Sequence, residues 1–250
     1  MHSILIIGQS NMAGRGFPGE VAPIQNKKLF VLRNGRWWPM YVPVNPDRVT
    51  AGINLVESFA DRYANEHGVE VGIIPCADGG TSLDQWAEGG VLFDHACYMT
   101  ELAQRTSTVV AILWHQGESD CYPEAYPLYE EKFTAILRAL RERTGLHDVP
   151  VLLGGLGDYL VDYLPQMGVF QNYVYVNEAL QNVAKKQPRV GFVPADGLRP
   201  NPDNLHFSAK ALRAFGVRYY EEFLKLENTD AAVTEKSADA AKAKSALEAL

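Results

Sequence analysis

The sequence predicts an α/β protein: a three-layer α/β/α sandwich in which helices cover both faces of a five-stranded, mainly parallel sheet. Short apolar runs alternate along the chain with amphipathic segments, which is the pattern of βαβ units. The runs do not alternate apolar with polar residues, so we expect strands that are covered on both faces. A length of 250 residues suffices for one domain with a large core.

The strands of the predicted sheet are five apolar runs, and helices are expected between them. The runs lie at residues 4–7, 69–75, 108–114, 149–153 and 190–193. Apolar residues with helical spacing occur at 54–65, 93–105, 123–145, 174–186 and 208–223. Gly68 is a suitable end for the first helix, Pro123 a suitable start for the third, and Ser208 a suitable N-cap for the last.

Two segments fall outside this alternation. Asn34-Gly35 separates two apolar segments and is a strong signal for a two-residue β-hairpin, which we interpret as an insertion outside the main sheet. Residues 227–250 are rich in Ala, Lys and Glu and have almost no large apolar side chain. We therefore expect one domain over residues 1–226 and a flexible or loosely docked helical tail, in preference to a partner-binding helix.

Composition excludes several classes of function. The net charge is −7 and no basic cluster is present, which argues against a nucleic-acid partner. The three cysteines are odd in number and widely spaced, so we expect neither a disulfide framework nor a metal site, and no cofactor is indicated. The first strand begins near residue 4 and no apolar run approaches 18 residues, so we expect a cytoplasmic protein without a membrane segment. The oligomeric state stays open.

Polar residues follow four of the predicted strands directly. Ser10 follows the first, Gly80 the second and Gln116 the third, while Asp203 and His206 follow the fifth. The carboxyl ends of parallel strands meet at one edge of a sheet, where sites of α/β proteins form. Ser10 alone could equally be the N-cap of a helix, and the glycine a simple tight turn. Together, the four motifs predict one site.

The chemistry of these groups indicates nucleophilic catalysis. A serine hydroxyl becomes a good nucleophile when an imidazole removes its proton, and a carboxylate fixes the tautomer of that imidazole. Ser10, His206 and Asp203 are therefore the candidate nucleophile, base and orienting carboxylate. The candidate oxyanion donors are the backbone N–H groups of Ser10 and Gly80 and the side-chain amide of Gln116.

Further residues near this edge are candidates for supporting the site or contacting substrate, namely Gln9, Asn11, Arg15, Trp86, His115 and Glu118. His115 neighbours Gln116 on a strand end and should point the opposite way, which favours a structural or substrate-contact role over that of the base. Glu118 is expected to hydrogen-bond the Ser10 loop or to position Gln116. Arg15 either contacts substrate or pins its own loop. The aromatic side chains near this edge suit sugar stacking or ordinary packing, and they are Trp37, Trp38, Trp86, Tyr122 and Tyr126.

Four blocks of the chain resemble those of the SGNH hydrolases. They begin Gly8-Gln9-Ser10-Asn11, Gly79-Gly80-Thr81-Ser82, Trp114-His115-Gln116-Gly117 and Asp203-Asn204-Leu205-His206. The sequence is most similar to the sialate O-acetylesterase and acetyl xylan esterase branch, carbohydrate esterase family six, in which glutamine replaces the asparagine of the third block. The resemblance covers residues 4–224. It implies a flavodoxin-like fold and a metal-independent serine esterase, with the roles given above for Ser10, Gly80, Gln116, Asp203 and His206.

We therefore expect a serine esterase that removes O-acetyl groups from carbohydrates, such as acetylated xylo-oligosaccharides, through an acetyl-enzyme intermediate. One alternative keeps the machinery and changes the acyl group, as in a lipase, thioesterase or acyltransferase. The other is a non-catalytic sugar-binding protein on the same fold, against which the complete set of Ser10, Asp203 and His206 argues. The residues leave open which sugar and which hydroxyl position are involved.

Overall fold

The computed structural model describes residues 1–227 and contains one mixed sheet of seven strands. The strands are β1 (His2–Gly8), β2 (Leu29–Arg33), β3 (Arg36–Pro39), β4 (Val71–Pro75), β5 (Thr108–His115), β6 (Val151–Gly154) and β7 (Val190–Val193). Their order across the sheet is β3-β2-β4-β1-β5-β6-β7. Every neighbouring pair is parallel except β2 with β3.

The helices confirm the predicted three layers. They are α1 (Ser10–Ala13), α2 (Val56–His67), α3 (Val91–Gln104), α4 (Tyr129–Thr144), α5 (Tyr173–Lys186) and α6 (209–227). Successive residues at the end of β5 point to opposite faces of the sheet: Trp114 packs against Phe133 of α4, and His115 packs against Phe215 of α6. Helices α3 and α5 pack beside α4, so these three helices lie on the face opposite α6. The helix expected to begin at Pro123 begins at Tyr129, after a 3₁₀ turn at Tyr126–Leu128.

Helix α6 packs with α2 on the second face. The Phe59 ring meets Tyr220 and Phe223 edge-on at centroid distances of 5.6 and 5.8 Å. Arg213 forms an ion pair of 2.8 Å with Glu57, whose side chain is completely buried. The last helix of the described chain is therefore joined to the N-terminal half through this layer.

The interpretation of the Asn34-Gly35 hairpin as an insertion outside the sheet was wrong. Its first strand, β2, pairs in parallel with β4, from Leu29 opposite Val71 to Val31 opposite Ile73. Leu29 and Val31 are buried, so the hairpin covers what would otherwise be an open strand edge. The two added strands account for the difference between the five predicted strands and the seven observed.

The topology places a switch point at β1. The chain leaves β1 for β2, β3 and β4, which all lie on one side of it, and later adds β5 on the other side, so loops diverge at the carboxyl end of β1. Gly8 lets β1 and β5 approach there, since a Cβ would lie 2.1 Å from the carbonyl oxygen of His115 at a φ of +132°. The Gln9 N–H then donates to that carbonyl at 2.9 Å. The strand order thus locates a crevice directly beyond residue 8.

Two of the expectations concern a membrane-spanning segment and the C-terminal tail. No helix within residues 1–227 has both the length and the apolar character needed to cross a bilayer. The predicted tail lies outside the described residues from position 228 onward. The domain boundary at 226 stays a prediction, as does the cytoplasmic location.

Candidate active site

Ser10 lies at the bottom of a cleft of about 610 Å³ at the carboxyl edge of the sheet. It is the first residue of α1, and the Gln9 carbonyl accepts the N–H groups of Met12 and Ala13 at 2.9 Å each. The Ser10 side chain is only 6 % exposed, but it lines the cleft together with Gly80 and His206. Strand β1 therefore delivers this hydroxyl to the crevice.

His206 lies within hydrogen-bond distance of Ser10, 196 positions away in the chain. Its Nε2 is 3.0 Å from the Ser10 hydroxyl oxygen, and its Nδ1 is 2.7 Å from Oδ2 of Asp203. A carboxylate only accepts, so Nδ1 carries the proton and Nε2 is left to accept the serine O–H. This tautomer is the one a general base requires.

Asp203 is held as a carboxylate by the loop that carries His206. Its Oδ1 accepts the N–H groups of Leu205 and His206 at 2.9 and 3.0 Å, and its Oδ2 accepts the imidazole proton. Partial burial acts to raise the pKa of Asp203, but the hydrogen bonds from the His206 ring and from both backbone N–H groups outweigh it. The pKa of Asp203 therefore lies below its ordinary value.

Asn11 connects the segment that carries Ser10 to the loop that carries His206. Its Nδ2 donates to the carbonyl of Leu205 at 3.2 Å and to Oε1 of Glu118, while its Oδ1 accepts the N–H of Phe207 at 3.0 Å. The Asn11 side chain is 1 % exposed. Of the two roles expected for Glu118, the contact observed is the one with the Ser10 loop.

Two backbone donors face the cleft without a protein partner. Neither the Ser10 N–H nor the Gly80 N–H donates to any acceptor within residues 1–227. Gly80 adopts a φ of +77°, which favours glycine at this turn. Both residues line the cleft, so both N–H groups are available to a ligand next to the Ser10 hydroxyl.

Asp47 fixes the loop that carries Gly80, and sequence reasoning did not identify it. Its Oδ2 accepts Nη2 of Arg15 at 2.6 Å and the N–H of Gly79 at 2.8 Å, while its Oδ1 accepts Nη1 of Arg15 at 3.0 Å. The side chains of Arg15 and Asp47 are 6 % and 4 % exposed. Of the two roles expected for Arg15, the contacts observed are those that pin the loops, and the residue also borders the cleft. Asp47 lies in an irregular segment, where no spacing distinguishes it.

The sequence as a whole matches a known family. The family model described as carbohydrate esterase, sialic acid-specific acetylesterase, matches residues 1–225. The chain belongs to this family. It is therefore a carboxylic ester hydrolase of the carbohydrate esterase class, and its fold is also that of the crystal structure of NanS.

Individual relatives agree with this assignment. The esterase is 26 % identical over 247 residues to the probable carbohydrate esterase At4g34215 of Arabidopsis thaliana, covering 88 % of this chain and 89 % of that protein. The crystal structure of AT4G34215 superimposes with a TM-score of 0.79 at 25 % identity, covering 90 % of this chain and 98 % of the other. XAC1771, a carbohydrate acetylesterase from Xanthomonas citri, has the same fold, with a TM-score of 0.65, 21 % identity and coverage of 87 % and 55 %.

Gln116 does not lie where an oxyanion donor is needed in this esterase. Its side chain is completely buried and does not line the cleft. Its Nε2 donates to the Thr81 carbonyl at 2.9 Å and to Oδ2 of Asp120, and its Oε1 accepts the Tyr129 hydroxyl at 3.0 Å. An amide nitrogen has two N–H groups, so both are used within the protein. Asp120, the acceptor four residues after Gln116, lies in the same sequence block, so the sequence contained a signal for this contact.

Trp86 and His115 also lie away from the cleft, so of the supporting and substrate-contact roles expected for them, the contacts observed are supporting ones. Trp86 is 1 % exposed, donates to the Thr81 hydroxyl at 3.0 Å and packs edge-on against Trp114. His115 is fully buried, with Nε2 at 3.2 Å from the Gly155 carbonyl, and burial lowers its pKa. Both side chains make contacts within the protein that stabilise the loops, and neither contacts the cleft.

An aromatic wall lines one side of the cleft. It consists of Tyr122, Tyr163 and Phe170, with the Tyr163 and Phe170 rings 4.7 Å apart. Of the five aromatic residues expected near this edge, Tyr122 is the one that lines the cleft. Tyr163 and Phe170 lie in the long loop after β6 and were not identified from the sequence. The signal that could have found them is a long loop that carries aromatic residues, since loops often hold binding residues.

The described residues also show what the site does not contain. Within positions 1–227, no three His, Cys, Asp or Glu side chains are close enough to hold a metal ion together. The groups gathered around Ser10 are a hydroxyl, an imidazole, a carboxylate and two unpaired backbone N–H groups. Such a set is suited to acyl transfer to the serine oxygen.

Proposed function

We propose that this esterase removes O-acetyl groups from carbohydrates by a serine mechanism with an acetyl-enzyme intermediate. The observation that carries the proposal is the chain of hydrogen bonds from Ser10 through His206 to Asp203 at the bottom of the cleft. Membership of a family of carbohydrate esterases supports the substrate class.

In the first half of the reaction, His206 Nε2 removes the proton of the Ser10 hydroxyl as Oγ attacks the acetyl carbonyl. The tetrahedral intermediate carries a negative oxygen, which the N–H groups of Ser10 and Gly80 stabilise. Its collapse breaks the bond to the sugar oxygen, and the imidazolium of His206 returns the proton to the departing sugar. Asp203 stabilises the imidazolium throughout.

In the second half, water replaces the sugar. His206 removes a proton from the water, the hydroxide attacks the acetyl carbonyl, and collapse releases acetate. The proton held by His206 returns to the Ser10 oxygen. The enzyme ends unchanged, and the reaction is ping-pong in form.

The aromatic wall supports a sugar rather than a long acyl chain as the group beside the acetyl. Aromatic faces pack well against the apolar faces of sugar rings, and Tyr122 and Tyr163 border the same cleft as Ser10. We propose acetylated oligosaccharides, xylo-oligosaccharides among them, as substrates. A cytoplasmic enzyme would encounter short oligosaccharides rather than intact polymer.

The test is the Ser10→Ala variant assayed with 4-nitrophenyl acetate and acetylated oligosaccharides. We expect turnover to fall by about 10⁴-fold or more, because the remaining catalysis comes from the oxyanion donors and binding alone. Ser119→Ala is the matched control: Ser119 borders the same cleft, and the change leaves its backbone N–H intact. Wild-type activity in Ser10→Ala would overturn the proposal.

Two further measurements separate the alternatives. Rates on acetate, butyrate and octanoate esters decide the acyl group, and we expect a steep fall with chain length. Intact mass after rapid quenching should show an acetyl group on Ser10. Sugar binding without any ester cleavage would instead favour a non-catalytic binding protein.

A further inference from the structure

The aromatic wall of the cleft continues outward as a second pair of rings. Within the wall, the Tyr122 and Phe170 rings contact each other edge to face, with centroids 6.5 Å apart. Four positions after Tyr122 and five after Phe170, the rings of Tyr126 and Tyr175 stack, with centroids 4.8 Å apart and planes inclined by 17°. We call Tyr126 and Tyr175 the outer tyrosine pair. The same two chain segments therefore form two successive aromatic contacts, the first at the cleft and the second beyond it.

Hydrogen bonds fix the spacing between these two contacts. The Tyr126 N–H donates to the Tyr122 carbonyl at 3.1 Å, so one helical turn separates the two tyrosines. Residues four apart on such a turn lie on the same side, with Cβ atoms about 5–6 Å apart. On the facing segment, the Asn172 side chain donates to the Cys121 carbonyl at 2.8 Å. The outer tyrosine pair is thus held about one sugar unit beyond the wall.

The outer tyrosine pair is open to solvent. Tyr175 lies in the first turn of α5, and its side chain is 48 % exposed, although one face of its ring is stacked on Tyr126. Single exposed aromatic residues are common on protein surfaces, but exposed apolar rings that continue a binding cleft mark an interaction site. The position of the pair therefore points to a ligand that already occupies the cleft and extends out of it.

We propose that the outer tyrosine pair binds a further sugar unit of the substrate, so that this esterase prefers chains of several sugars to mono- and disaccharides. The inference rests on the proposed function, because the occupant is the continuation of the carbohydrate whose acetyl group reaches Ser10. Aromatic faces pack against the apolar faces of sugar rings, and a tyrosine hydroxyl both donates to and accepts from sugar hydroxyls. The pair lies away from the reacting carbonyl, so it binds ground state and transition state alike and lowers KM.

The deciding variant is Tyr175→Ala, assayed for its dependence on chain length. The substrates are xylo- and manno-oligosaccharides of two and six units that carry one acetyl group each. For wild type we expect kcat/KM to be at least about fivefold higher with six units than with two in one of these series. In Tyr175→Ala this ratio should fall below about twofold, through a higher KM for the six-unit substrate.

Three further variants serve as controls. Tyr98→Ala is matched, because Tyr98 is a tyrosine of α3 that is 63 % exposed, and it should keep the wild-type ratio. Tyr175→Phe retains the ring and should keep the ratio, whereas Tyr175→Leu retains apolar volume without a flat face and should lose it. A merely structural role for Tyr175 would lower the melting temperature of Tyr175→Ala and leave the ratio at the wild-type value, which would overturn the inference.

Binding without turnover separates this inference from the proposed function. In the Ser10→Ala protein, we expect titration calorimetry to show that the six-unit sugar binds at least about fivefold more tightly than the two-unit sugar, and that a second substitution, Tyr175→Ala, removes the difference. Loss of activity in Ser10→Ala together with equal kcat/KM for two and six units in wild type would overturn the role of the pair and leave the serine mechanism standing. Activity retained in Ser10→Ala would overturn the mechanism, while tighter binding of the six-unit sugar that depends on Tyr175 would still support the pair. An equal fall of the ratio in Tyr98→Ala and Tyr175→Ala would overturn the inference.

Discussion

The buried ion pair between Arg15 and Asp47 should stabilise the fold far more than a solvent-exposed ion pair does. The Asp47→Asn variant tests this. In Asp47, two oxygens accept three donors: both terminal nitrogens of Arg15 and the N–H of Gly79. Asparagine offers one oxygen and directs N–H groups toward the guanidinium. Because both side chains are at least nine-tenths buried, the variant leaves a buried cation without its counter-charge.

The expected cost follows from this burial. Breaking a buried pair costs about 3–5 kcal/mol. For a domain of this size, each kcal/mol lowers the melting temperature by about 2–4 °C, so we expect a fall of about 6–20 °C. The matched control is Asp84→Asn, which removes the same charge from an ion pair of the same length, 2.6 Å, with Lys132. Asp84 is 74 % exposed, and its variant should lose at most about 1 kcal/mol.

The assay is urea unfolding of both variants, with activity on 4-nitrophenyl acetate measured in parallel. Release of the Gly79 N–H frees the turn that carries Gly80, so kcat of Asp47→Asn should fall by up to about 10²-fold, the cost of a small misplacement. Equal unfolding free energies for Asp47→Asn and Asp84→Asn would refute the reasoning. So would a destabilised variant with wild-type kcat, which would show that Asp47 acts on stability alone.

Three further predictions concern the groups around Ser10. Asn11→Ala should lower the unfolding free energy by about 2–4 kcal/mol in a urea titration, since it leaves the Phe207 N–H and the Glu118 carboxylate without their partner. The same variant should reduce kcat more than it raises KM, because the loop carrying His206 loses its tie to the nucleophile segment. Asp203→Asn should reduce kcat by about 10⁴-fold in the same ester assay, because an amide favours the wrong tautomer of His206.

The lowered pKa of Asp203 makes the contribution of this residue to the free energy of unfolding depend on pH. Its pKa is lower in the folded protein than in the unfolded chain, so the unfolded chain binds the proton first as the pH falls. The stabilisation by Asp203 is complete above the ordinary aspartate value and is lost as the pH falls through the lower, folded value. The difference in unfolding free energy between wild type and Asp203→Asn should therefore shrink in acid, and a difference constant from pH 7 to pH 3 would contradict this.

The residues that could be predicted from the sequence are those whose positions follow from the sheet. Unbroken apolar runs indicated the strands, and the carboxyl ends of parallel strands indicated that Ser10, Gly80 and His206 would share an edge. The hairpin was misjudged because its pairing with β4 is a long-range contact, to which the Asn34-Gly35 turn contributes no information. The local turn fixes only how β2 meets β3.

Side-chain direction was the main source of error in the site. Gln116 follows the end of β5 as predicted, but its amide points into the protein toward Asp120 rather than toward Ser10. Sequence position fixes which edge of the sheet a residue occupies, whereas the acceptors around it decide where its amide points. Asp47 was missed for a related reason: its role depends on Arg15 and Gly79, each 32 positions distant.

The contacts show how one short segment orders the whole site. Residues 9–15 leave the end of β1, and each of three side chains on this segment binds a different group of loops. Gln9 accepts from the loop after β5, Asn11 binds that loop and the His206 loop, and Arg15 binds the loop that contains Asp47. Since Gln9 and Asn11 both bind the loop after β5, effects of substitutions at these two residues should not add. Ser10 is therefore positioned by the same segment that positions His206 and the loop of Gly80, so the geometry of the proposed site is set around Ser10 rather than assembled from independent loops.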